Sequence, residues 1–117
     1  MAEGFARHLG AGRLEASSAG LFPARIIQPE TYQAMEEKGV PLERRPPRHI
    51  VQVDAAAVDL LVNMAGPPVA PLLRGFRGSE VTWPIRDPIG QSFEIYRSVR
   101  DHIEQRVADL VEQLATR

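Results

Sequence analysis

Residues 80–103 read EVTWPIRDPIGQSFEIYRSVRDHI, and this unit sets the architecture. Val81 and Trp83 suit a strand, and Pro84 ends it because proline has no N–H to offer a ladder. Residues 85–91 then read as a loop at a strand's carboxyl end: Asp87-Pro88 sets a carboxyl on a restrained turn, and Gly90 frees the exit. Beyond the loop, apolar side chains recur at Phe93, Tyr96, Val99, Ile103, Val107, Leu110 and Leu114, the spacing of one helix face. A strand that feeds a carboxylate-bearing loop into a long helix is where α/β domains place chemistry. The same residues also fit a plainer reading, in which Asp-Pro is a good turn and nothing more.

Upstream of this unit, residues 59–64, DLLVNM, form a continuous apolar run of strand length, which predicts a strand buried on both faces and hence a parallel sheet. Residues 65–78 between the two strands read as loop with one helical turn around Leu72. Asp54 is placed to cap a short turn over Ala55–Ala57. Residues 41–49, PLERRPPRH, are the one basic and proline-rich patch. Its Arg44, Arg45 and Arg48 suit either the steering of an anion or an ordinary solvated loop, and His49 belongs with it. A helix is predicted from Pro29, a good first-turn residue, to a stop at Gly39, with Tyr32 and Met35 inward. Residues 13–20, RLEASSAG, alternate like a strand that ends at Gly20, and Phe22-Pro23 turns the chain onward. Residues 1–12 read as a helix with Ala2, Phe5, Ala6 and Leu9 on its inner side, and no capping residue precedes it. His8 lies there without a second ligand at i+4, so it reads as a surface or capping histidine rather than a metal ligand.

The totals narrow the function further. A chain of 117 residues fits one domain, residues 1–117. With 14 Lys and Arg against 15 Asp and Glu, it has none of the positive excess of a generic nucleic-acid binder. No apolar run is long enough to span a bilayer and no leader pattern opens the chain, so no membrane partner is expected and the cytoplasm is the expected compartment. There is no cysteine, which excludes disulfides, thiolate metal sites and thiol nucleophiles within these residues. No Walker loop, GxGxxG fingerprint or nucleophile elbow occurs, and Ser17 and Ser18 have no partnering His and Asp at a recognisable spacing. Neither a cofactor nor a metal is expected.

Taken in order, MAEGFARHLG, EASSAGLFP, the helix ending MEEKGVPL, DLLVNM, and WPIRDP followed by EIYRSVRDHI resemble one family along essentially the whole chain. The chain is similar to the low-molecular-weight protein tyrosine phosphatases and to the thioredoxin-coupled arsenate reductases that share their fold. The resemblance implies a three-layer α/β fold with a small parallel sheet flanked by helices, four strands in the order 2-1-3-4. In that family a Cys-x5-Arg-Ser phosphate loop precedes a helix opening Met-Ala-Glu, which Met1-Ala2-Glu3 matches. The resemblance therefore implies that the first strand and the nucleophile loop fall upstream of Met1.

It further implies that Asp87 stands at the family's Asp-Pro general acid, the group that protonates the leaving oxygen. The reductases' relay cysteines would fall near Ala65 or Gly66 and at Ala70, where this chain has no thiol. Ile89 stands where the phosphatases often carry an aromatic. The chain is thus expected to be inert by itself, with a phosphate-containing substrate only if a nucleophile loop is supplied. Two other readings stand beside it: a fragment of an active phosphatase with a misassigned start, and a non-catalytic binding or assembly module. The slot left beside the DLLVNM strand predicts a homo-oligomer or a strand-donating partner.

Overall fold

The computed structural model describes residues 1–20, 27–44 and 46–115. Three helices and two strands organise them: α1, Ala2–Leu9; α2, Pro29–Glu36; β1, Leu60–Asn63; β2, Ser79–Thr82; and α3, Phe93–Ala115. Single 3-10 turns lie at Ile50–Gln52, Ala55–Ala57 and Ala70–Leu72. The strands pair in parallel, with Leu60 opposite Ser79 and Asn63 opposite Thr82. This is a small α/β fold in which helices pack on a parallel sheet.

The main core belongs to α3. Tyr96, Val99, Ile103, Val107 and Val111 recur on its buried face, and the last four join Phe5 of α1, Met35 of α2, Val40 and Trp83 in one cluster. The helical period decides which residues enter: Leu110, one position off the stripe, is half-buried where Val111 is buried. Pro29 opens α2 at the position where its missing N–H costs nothing. In α1, Glu3 in the first turn and Arg7 and His8 in the last complement the helix dipole. A second, smaller cluster of Ala55, Val69 and Leu73 packs with Ile50, Leu61 and Phe76. Strand β1 separates the two, because its alternating side chains put Val62 on the first cluster and Leu61 on the second.

Several expectations are corrected. Residues 14–19 form no strand: the N–H groups of Arg13 and Leu14 fold back onto the Gly10 carbonyl, and the Ala16 carbonyl accepts from the Arg7 side chain. Only Gly20 pairs, through a parallel bridge to His49. Alternation does not make a strand without a neighbour to share its ladder. Among the described residues the sheet therefore has two strands rather than the three that the resemblance leaves downstream of Met1. Strand β1 is less buried than its apolar run predicts: each face meets a cluster, yet Leu60, Leu61 and Val62 are half-buried. Leu9 is 39% exposed rather than inward, because α1 ends there. Asp54 makes no capping hydrogen bond, whereas His49 caps its own turn, its Nδ1 accepting the Val51 N–H. Phe22, Pro23 and Arg45 lie outside the described residues. No helix among those described is long and apolar enough to cross a membrane.

Candidate active-site loop

Both strands run the same way, so the loops after β1 and β2 leave from the same carboxyl edge. The Trp83 N–H donates to the Asn63 carbonyl and carries the pairing one residue past β2. Pro84 cannot extend the ladder, and the Ile85 N–H turns back to the Trp83 carbonyl at 2.9 Å. Asp87 follows. Its Oδ1 accepts the Ile89 N–H at 3.0 Å, an Asx turn that fixes the carboxyl relative to its own backbone. The Gln91 N–H then bonds the Pro88 carbonyl. Gly90 at φ +79° makes that turn, a backbone region side-chain-bearing residues avoid. Arg86 Nη2 donates to Gln91 Oε1 at 3.2 Å and bridges the loop. Finally the Ser92 carbonyl receives the Ile95 and Tyr96 N–H groups as α3 begins.

The carboxyl of Asp87 is exposed, and among the described residues no Lys, Arg or His forms an ion pair with it. Tyr96, placed in the core from its spacing alone, also belongs to this corner. It is 2% exposed, and burial, together with the negative charges of Glu30 and Asp87, raises its hydroxyl above the ordinary tyrosine range. The signal for it was a polar-tipped ring on the first turns of the helix that Asp-Pro introduces.

The other candidates are elsewhere. A cavity of about 330 Å³ lies against α1, lined among others by Arg7, His8, Ser18 and Arg48, and Asp87 does not reach it. Ser18 Oγ donates to Glu3 Oε1 at 2.9 Å, so the hydroxyl is engaged by a carboxylate. Of the basic patch, Arg48 lines this cavity, whereas Arg44 stacks over the Tyr32 ring at 4.2 Å from its centroid. The positions where the resemblance places relay thiols make backbone contacts: the Ala65 N–H donates to Asn63 Oδ1 and the Ala70 N–H to Glu80 Oε1. Among the described residues no group of three or more His, Asp or Glu is placed to hold a metal ion.

Comparison with known proteins joins these observations. The family model for low molecular weight phosphotyrosine protein phosphatase matches residues 1–117. A glutaredoxin arsenate reductase of Synechocystis sp. is 32% identical over 120 residues, covering 98% of this chain and 88% of the relative. A solved arsenate reductase in the phosphate binding state superposes with a TM-score of 0.83 at 31% identity, covering 97% of this chain and 86% of that one. The YwlE arginine phosphatase, solved as a cysteine-to-serine mutant with its active-site serine phosphorylated, reaches a TM-score of 0.84 at 23% identity over 97% and 86% of the two chains, which bears on the fold alone. The chain belongs to the low molecular weight phosphotyrosine protein phosphatase family.

Proposed function

We propose that residues 1–117 act as one domain carrying the general-acid half of a site for tetrahedral oxyanions, with Asp87 as the proton donor to a leaving oxygen. The observation that carries this reading is the Asp87 carboxyl itself: exposed, free of a cationic partner among the described residues, and held by the Ile89 N–H at the carboxyl end of β2. The family points to phosphate monoesters. The Synechocystis relative is named for arsenate, an oxyanion of the same shape and charge. A cytoplasmic setting suits both.

We further propose that these 117 residues are inert by themselves. Phosphoryl transfer through an enzyme intermediate needs a nucleophile to accept phosphorus and N–H or guanidinium groups to hold its equatorial oxygens. The sequence has no thiol, and Ser18 is engaged by Glu3. General acid catalysis alone contributes about 10²–10⁴-fold, too little to make an aryl phosphate turn over measurably. Hydrolysis of a chromogenic aryl phosphate by the purified chain is therefore expected to equal the blank, and Asp87→Ala to change nothing. Turnover that disappears in Asp87→Ala overturns the inertness. Arsenite production with thioredoxin is expected to stay at the protein-free level, since no thiol is available to oxidise.

The acid role has its own test. If the native protein has an intact mass above that of these residues and hydrolyses aryl phosphates, Asp87→Asn should lower kcat by about 10²–10⁴-fold. The loss should shrink with an electron-poor phenol that leaves without a proton. A loss independent of the leaving group contradicts the assignment.

A second reading rests on the free edge of β1. Its Asp59 and Asn63 carbonyls accept from Ser79 and Trp83, so odd-numbered positions face β2. Leu60 and Val62 then turn their N–H and C=O to the other edge, where no strand pairs with them among the described residues. Such an edge recruits a strand, from a second copy or from a partner.

A further inference from the structure

The loop that leaves β1, residues 64–70, is held by two side chains. Asn63 is 3% exposed, and both its amide hydrogens and its oxygen are engaged: Nδ2 donates to the Pro67 carbonyl at 2.7 Å and to Glu80 Oε2 at 3.1 Å, and Oδ1 accepts the Ala65 N–H at 2.8 Å. Glu80 takes the far end of the loop, Oε2 accepting the Val69 N–H at 2.8 Å and Oε1 the Ala70 N–H at 3.3 Å. Pro67 and Pro68 have no N–H, so the loop has few donors of its own, and these two side chains engage most of them. The Val69 N–H above all, with those of Ala70 and Asn63, holds the Glu80 carboxyl below the usual carboxylate range, as an ionised acceptor requires.

The register explains why Glu80 is available. Glu80 lies opposite Leu61, on the sheet face that Leu61 shares with Asn63 and that meets the small cluster of Ala55, Val69 and Leu73. Three buried residues give that cluster little apolar area, and its central Val69 is the residue whose N–H Glu80 holds. The larger cluster shares none of these contacts.

We propose that the Asn63–Glu80 pair is a latch: while Glu80 accepts the Val69 and Ala70 N–H groups, the 64–70 loop and the small core beneath it stay closed, and losing that acceptor opens this unit while the helical core remains folded. Because the Trp83 N–H bonds the Asn63 carbonyl, the latched loop is tied to the strand that delivers Asp87. An open latch unfastens the neighbouring wall of the carboxyl edge.

Amide hydrogen exchange on four forms of the chain tests this. Glu80→Gln keeps the shape but puts an NH2 where one oxygen accepted, so an N–H faces an N–H. Exchange at Val69, Ala70 and Leu73 is expected to rise about tenfold or more, the size of one hydrogen bond to a charged acceptor. Amides of residues 99–107 in α3 should change less than about twofold, the behaviour of a local opening. Asn63→Asp sets a second carboxylate against Glu80 and should open the loop further. In the double variant, Asn63→Asp with Glu80→Gln, the amide introduced on β2 can donate to the carboxylate introduced on β1, and exchange should fall back below that of Asn63→Asp. Unchanged exchange at Val69 and Ala70 in Glu80→Gln overturns the latch, as does an equal rise in α3. A double variant no better protected than Asn63→Asp overturns the pairing. Should Asn63→Asp fail to fold, recovery of folding in the double variant supports the pairing and its absence opposes it.

Discussion

Glu37 joins the end of α2 to α3. Arg97 Nη2 donates to its Oε2 and Arg100 Nη1 to its Oε1, each at 2.6 Å, and Arg100 Nη1 also bonds the Ala34 carbonyl at 3.0 Å. The hydrogen bonds from Arg97, then those from Arg100, lower the Glu37 pKa from 4.5 to about 2. A carboxyl depressed in the folded state stabilises the fold above its unfolded pKa and loses that contribution as pH falls through the folded one. The window is therefore pH 4.5 down to about 2. The thermal midpoint should fall across it, and the slope should be shallower in Glu37→Gln, measured by circular dichroism at fixed ionic strength. An identical slope in the variant removes Glu37 from the acid transition. Arg100, buried on α3, is the more demanding partner. Arg100→Ala leaves the Ala34 carbonyl without this donor and should cost about 2 kcal/mol, read from urea midpoints.

Among the elements, α3 carries the core. Removing a fully buried Ile side chain to Ala costs about 2–5 kcal/mol, and Ile103, at 6% exposure, belongs in that range. Leu110→Ala should cost clearly less, since Leu110 only flanks the cluster. Equal losses at the two positions would show that the stripe is misassigned by a residue. The strand pair has a different weak point. A Cβ at Gly78 would collide with the Asp59 carbonyl, the same oxygen that accepts the Ser79 N–H at 3.0 Å. Backbone on both sides leaves nothing flexible to yield. Gly78→Ala should therefore loosen the start of the β1–β2 ladder and destabilise by about 1–3 kcal/mol, with exchange rising first at Leu61.

For the whole molecule, the proposed recruitment of a strand by the open edge of β1 predicts association. The unpaired N–H and C=O groups of the half-buried Leu60 and Val62 offer a ready ladder to an added strand. Sedimentation at micromolar concentration is expected to show a concentration-dependent species heavier than 13.0 kDa. The exchange pattern should follow the register: Leu61 and Asn63 protected at all concentrations, Leu60 and Val62 protected only on association. A monodisperse monomer in which Leu60 and Val62 are already protected refutes strand donation.

Local features were legible from the residues alone. The stripe of α3, the Pro29 start of α2, the turns at Ala55–Ala57 and Ala70–Leu72, and the Asp87-Pro88 corner all depend on neighbours within a turn or two, where dihedral preference and periodicity act directly. The resemblance carried by those ordered pieces was legible for the same reason. Everything that joins distant residues waited on the folded chain. Whether 13–20 is a strand depends on a neighbour to pair with, which alternation cannot supply. Glu37 meets Arg97 and Arg100 across 60 and 63 residues, and Glu80 meets Asn63 across 17. In the sequence Glu80 is one carboxylate among fifteen acids. It becomes a latch only because the parallel register sets it opposite Leu61, beside an asparagine and two backbone N–H groups that need an acceptor.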